Sequence, residues 1–112
     1  LITNKAYIES ILLNLLTNSI KYKSENRKLK ISIIAEQIEQ RTILTFKDNG
    51  IGIDLERNRD KVFGLYQRFH NYPDSKGLGL YLVKSQVETM GGTISIDSEV
   101  NKGTTFTITF KN

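Results

Sequence analysis

Between residues 5 and 22 the apolar side chains of Ile8, Ile11, Leu12, Leu15, Leu16 and Ile20 return every three or four positions, while Ser10, Asn14, Thr17, Asn18 and Lys21 fill the opposite arc. That spacing predicts a one-faced α-helix, and such a helix is stable only against another layer. The chain supplies the layer in pairs of strands. Residues 29–35 and 42–47 are rich in β-branched side chains and alternate, which predicts two antiparallel strands joined near residues 36–41. Leu80, Val83, Val87 and Met90 mark a second long helix, entered through Gly77 and Gly79 and closed by Gly91 and Gly92. Residues 93–97 and 104–110 predict two more strands about a turn at 101–103. Between the halves, residues 48–76 keep no sustained period and predict only one short helix, near residues 61–66. A loop of that length inside a compact domain is usually functional, often a lid. Helix, two strands, loop, helix, two strands is the order of an α/β (α+β) sandwich: helices on one face of a mixed, mostly antiparallel sheet.

Composition narrows the class. With 112 residues, 38% hydrophobic, one Pro and eight Gly, the chain reads as one domain over residues 1–112, burying roughly 65% of its unfolded surface. A disordered tail, a collagen-like chain and a disulfide-stapled scaffold are excluded. No apolar run approaches the ~20 residues that span a bilayer, no signal peptide opens the chain, and no stretch predicts membrane contact. Sixteen Lys and Arg against twelve Asp and Glu suit an anionic ligand. The basic residues are interleaved with acidic ones and form no stripe, so nucleic acid is not an expected partner. Zero Cys excludes thiolate metal sites and Cys nucleophiles, and fits a reducing, cytoplasmic location.

Several short motifs carry chemistry. Asn14 and Asn18 stand four apart with Lys21 one turn on, so the three project together from the first helix. Two carboxamides and an ammonium suit a metal-bound phosphate, because an amide oxygen is a hard ligand and a lysine a mobile point charge. An ordinary solvated face would read the same way. Asp48-Asn49-Gly50-Ile51-Gly52-Ile53 follows directly on a strand. A carboxylate fixed there can accept from an exocyclic amine such as that of adenine, and glycines let a flat base come close; a plain Asn-Gly turn is the alternative. Gly77-Leu78-Gly79-Leu80 opens the second long helix, where bare backbone N–H groups make an anion site. Gly103-Thr104-Thr105-Phe106 pairs a turn glycine with strand formers, one hydroxyl of which could face a ligand. Phe63 and Phe69 flank Arg68: they could pin a lid and aim an arginine at phosphate, or simply pack in the core. His70, the only histidine, has no metal or nucleophile partner near it in sequence.

Order and spacing say more than any single motif. The run Asn14-Leu15-Leu16-Thr17-Asn18-Ser19-Ile20-Lys21-Tyr22 closely resembles the N box of sensor histidine kinases, and Asp48-x-Gly50-x-Gly52 resembles their G1 box. Residues 61–69 are similar to the F box, 75–80 to the G2 box and 103–106 to the last glycine box. The resemblance runs from about Ile8 to Phe110. It implies the catalytic and ATP-binding domain of a histidine kinase, with the Bergerat-type fold shared with gyrase-type ATPases. By the same resemblance Asn18 is the Mg²⁺ ligand, with Asn14 beside it and Lys21 near the phosphates. Tyr22 lies near the adenine, Asp48 accepts from its amine, and Gly50 and Gly52 make room for it. Arg68 approaches the triphosphate and Gly77 and Gly79 receive it, while Ile53, Leu78, Leu80 and Thr105 complete the nucleotide contacts.

The implied cofactors are ATP and Mg²⁺. The implied partners are the kinase's own dimerisation and phosphoacceptor segment, expected upstream and absent from these residues, and a response-regulator receiver domain. The isolated chain is expected to bind ATP without autophosphorylating. Ser75 and Asn101 stand where the family's boxes usually hold glycine, and an edge strand that normally precedes the first helix is expected to be missing, leaving a sheet edge unpaired. A gyrase-like ATPase is the rival enzyme. Such relatives carry a glutamate where Asn14 stands, and an amide cannot take a proton from water at neutral pH. A degenerate domain serving only as an interaction module is the second rival.

Overall fold

The computed structural model describes residues 5–59, 62–63 and 79–111. Helix α1 (Lys5–Lys21) leads to strands β1 (Ile31–Ile38) and β2 (Arg41–Asp48). A short helix α2 (Leu55–Asn58) follows, then α3 (Gly79–Thr89), β3 (Thr93–Glu99) and β4 (Gly103–Lys111). The strands lie in the order β1-β2-β4-β3, and every pairing among the described residues is antiparallel. The expected sandwich is present, with helices on one face.

Alternation sets that face. On β4, Thr104, Phe106, Ile108 and Phe110 are buried, while Thr105, Thr107 and Thr109 between them are only half-buried. The inward set joins Phe46 of β2, Ile11 and Leu15 of α1, and Leu80, Val83 and Val87 of α3 in one core. Each such side chain withdrawn from water contributes about 1.5–3 kcal/mol before the entropy of ordering is subtracted. The two long helices also touch each other, and Gln86 Nε2 donates to Ser10 Oγ across them at 3.0 Å.

The predicted arc of α1 needs one correction. Ile20 is 55% exposed, and the buried row runs Ile11, Leu15, Ser19. A step of four residues keeps side chains on one face, and Ile20 lies about 100° round from Ser19. The short helix expected near residues 61–66 falls mostly outside the described residues, and the structure holds one that the sequence did not predict. It occupies Leu55–Asn58, where Asp54 caps it by accepting from the Glu56 and Arg57 amides, whereas Val62 and Phe63 lie in a turn and residues 61 and 64–66 are outside the described set.

Turns follow local chemistry. Ile38 pairs with Arg41, so two residues join β1 to β2, a tighter link than the sequence predicts, and Glu39 adopts a left-handed φ of 56°. Helix α3 closes as expected: Gly91 has φ 77°, its amide donates to the Glu88 carbonyl, and the Gly92 amide donates to Val87. Between β3 and β4, Asn101 takes φ 67°, a conformation that asparagine tolerates better than most residues.

Candidate nucleotide-binding site

At the end of β2, Asp48 turns inward and is only 6% exposed. A buried carboxylate needs partners, and two flank it. Ser19 of α1 donates its hydroxyl to Oδ2 at 2.7 Å, and the Gly50 amide donates to Oδ1 at 2.9 Å. Each oxygen keeps a second lone pair, so an oriented acceptor remains for a further donor. Ser19 is therefore buried for a polar reason, which is why the apolar row of α1 passes through it.

The loop beyond Asp48 is held on both sides. Toward α1, Ile51 N donates to the Tyr22 carbonyl at 3.0 Å, and Asn49 N to Lys30 O at 3.2 Å. The Asn49 carboxamide accepts from Lys30 N and donates to Lys28 O. Arg27 bonds the carbonyls of Asn49 and Gly50. Toward the β3–β4 turn, Asn101 N donates to Ile51 O at 2.8 Å and Ile53 N to Ser98 Oγ at 2.8 Å. Ser98 gives its one proton to the Gly103 carbonyl, so Thr104, 2.8 Å from it, is the donor in the hydroxyl pair.

This clamping explains the glycines from within the protein. A Cβ on Gly50 would lie 2.7 Å from the Tyr22 carbonyl oxygen, and one on Gly52, already at φ 74°, would lie 2.0 Å from that of Glu99. Any side chain there would lift the loop off its two supports. The sequence reading assigned these glycines to a ligand's approach; the structure gives each an intramolecular role as well.

Of the residues the sequence singled out, Asn14, Asn18, Lys21 and Tyr22 lie along α1 or just after it, the first three half-buried and Tyr22 buried. Asn14 Nδ2 donates to Ser10 Oγ at 3.5 Å, and the Asn18 carboxamide bonds to no described residue. Gly50, Gly52 and Ile53 are buried around Asp48. Leu80 packs in the core, and Gly79 begins α3. Phe63 packs edge-on against Phe106, centroids 6.3 Å apart, as a core aromatic. Thr105 requires a correction. It sits across from Lys47 and Asp97 on the sheet face away from the helices, and it is Thr104, buried, that stands opposite Asp48. Strands alternate, so adjacent threonines must face opposite ways. Arg68, Gly77 and Leu78 lie outside the described residues, as do Phe69, His70 and Ser75.

Three contributors went unread in the sequence, Ser19, Arg27 and Ser98, while Thr104 was named in its turn motif but passed over for Thr105. Ser19 alone left a signal, a small polar residue four after Leu15 in the apolar row. Arg27 sits in an ordinary charged turn with nothing local to mark it.

Comparison with known proteins agrees with this architecture. Residues 3–112 match the family described as histidine kinase-, DNA gyrase B-, and HSP90-like ATPase. The heme sensor protein HssS of Staphylococcus saprophyticus is 37% identical over 108 residues, covering 96% of this chain and 23% of that protein. The sensor histidine kinase YvrG of Bacillus subtilis is 39% identical over 111 residues, covering 96% and 19%. Among solved structures, the mycobacterial sensor histidine kinase MprB superposes with a TM-score of 0.83 at 24% identity, covering 99% of this chain and 76% of that one. The last likeness is one of fold. The chain spans about a fifth of the length of HssS and YvrG.

Proposed function

The chain belongs to the histidine kinase-, DNA gyrase B- and HSP90-like ATPase family, and on that footing we propose that it binds Mg-ATP between α1 and the loop after β2 and donates the γ-phosphate to a histidine elsewhere in its parent protein. The acceptor histidine lies on a dimerisation segment, and a response-regulator receiver domain takes the phosphate next. The observation that carries this reading is the Asp48 carboxylate, buried, held by Ser19 and Gly50, and still able to accept. An exocyclic adenine amine is the donor it suits, while a purine presenting a carbonyl there would set oxygen against oxygen.

Asn18 fits a hard cation, because its amide oxygen has no described partner. Held there, the cation would supply positive charge against the phosphates. The protein's own part is positioning. Asp48 orients the base, Thr104 stands across from it, and Tyr22 flanks the loop that closes around Gly50. Lys21, Arg68, Gly77 and Leu78 are the phosphate contacts we propose, together with Gly79 where α3 begins. Phosphoryl transfer needs little else from a protein, since its transition state is loose and charge-dominated. Hydrolysis is the weaker reading: Asn14 offers water no base, and its amide nitrogen points to Ser10.

Calorimetry with a non-hydrolysable ATP analogue and Mg²⁺ tests the proposal. The chain is expected to bind, and Asp48→Asn, which turns an acceptor into a donor, to lose about 2–3 kcal/mol of affinity. No heat at millimolar nucleotide would leave the domain as a scaffold. With labelled ATP the isolated chain is expected to gain no acid-labile phosphate; labelled His70 would contradict the division of labour.

A further inference from the structure

Arg27 lies in the turn between α1 and β1, half-buried, with its guanidinium directed at the loop after Asp48. Its Nε donates to the Asn49 carbonyl and its Nη2 to the Gly50 carbonyl, both at 2.7 Å. Two short charge-assisted bonds from one rigid planar fork fix the orientation of two consecutive peptide groups. The first of these is the decisive one. The peptide unit joining Asn49 to Gly50 accepts from Arg27 through its carbonyl and donates to Asp48 Oδ1 through its amide. A cation on the carbonyl polarises that peptide and strengthens its N–H as a donor.

The other supports of the loop do not reach Asp48 in this way. Bonds from Asn49 to Lys28 and Lys30, and from Ile51 to Tyr22, hold the loop against the segment before β1 but leave the Asn49–Gly50 peptide free to tilt. Nor does Ser19 substitute, because it holds the opposite oxygen, Oδ2. With only that anchor, the carboxylate could turn about its Cβ–Cγ bond and misdirect its remaining lone pairs.

We propose that Arg27 is a positioning residue for the base-reading carboxylate of Asp48, acting through the Asn49–Gly50 peptide. The assignment rests on the reading of Asp48 as the adenine acceptor. A lysine would keep the charge and one bond but not the fork, so the two basic residues are not equivalent here.

The experiment uses the 112-residue chain and the same ATP analogue. Arg27→Met is expected to weaken binding about tenfold and Arg27→Lys about threefold. In an Asp48→Asn background Arg27→Met should cost less than about twofold, because the path ends at the lost carboxylate. Without nucleotide, hydrogen exchange at the Gly50 amide should accelerate about tenfold in Arg27→Met, while amides central to β2 and β4 keep their protection. Loss of protection in those strands as well would show unfolding, and Arg27→Lys then carries the comparison. Unchanged affinity and unchanged Gly50 exchange would overturn the proposal, as would equal weakening with and without the Asp48 carboxylate. A wild-type chain that binds no nucleotide, while Gly50 exchange still depends on Arg27, would remove the adenine reading and leave the bridge a loop anchor only.

Discussion

Ser19 and Ile20 are adjacent, and the structure reverses the roles that hydropathy assigns them. Ser19 is buried and bonded to Asp48, while Ile20 is more than half exposed. Ser19→Ala would leave Asp48 Oδ2 without its donor inside the fold, at an expected cost of about 1–3 kcal/mol in denaturant unfolding. Ile20→Lys, in contrast, should stay within about 0.5 kcal/mol of the parent, since it alters a surface position on a helix that lysine suits. A large loss from Ile20→Lys would mean that this face is covered after all. The same logic separates the two threonines that follow Gly103. Thr104 belongs to the site and Thr105 to the opposite face, a distinction that follows from register and not from residue type.

At the level of elements, most of the plan could be read in advance. The two long helices, both strand pairs and the glycine closure of α3 follow from periodicity and from the conformations glycine permits. The boundaries that shifted did so for local reasons. The β1–β2 link tightened to two residues because the ladder extends to Ile38 and Arg41. Its geometry puts Glu39 at φ 56°, where a residue with a Cβ carries about 1–2 kcal/mol of strain. Glu39→Gly is therefore expected to add up to about 1 kcal/mol of stability once the extra freedom of the unfolded glycine is subtracted, read as a higher thermal midpoint. Helix α2 went unpredicted because the aperiodic stretch hides its signal, which is a cap at Asp54 and not a period. Strand β1 is bordered by one described strand, β2, and leaves Ile33, Ile34 and Ile38 about half exposed.

For the molecule as a whole, nucleotide binding at the proposed site would couple ligand to stability. Loop 49–53 is tied to the turn after α1 on one side and to the β3–β4 turn on the other, so a nucleotide gripping Asp48 would stiffen three segments together. Saturation at a hundred times Kd is expected to stabilise the chain by about 2.7 kcal/mol, read as a rise in melting temperature that Asp48→Asn should largely abolish. A midpoint indifferent to Mg-ATP in the parent chain would contradict the site.

What the sequence settled alone was the alphabet of the fold: which long segments are helices, which are strands, where glycines close α3, and that an acid stands at a strand end. Those properties are local, fixed by period and by backbone sterics within a few residues. The partnerships were decided elsewhere. Ser19 meets Asp48 across 29 positions, Arg27 meets Gly50 across 23, and Ile53 meets Ser98 across 45. Such bonds depend on how the helix layer seats on the sheet and how one loop lies between two turns. That seating comes from the packing of the entire core, and no window of neighbouring residues contains it.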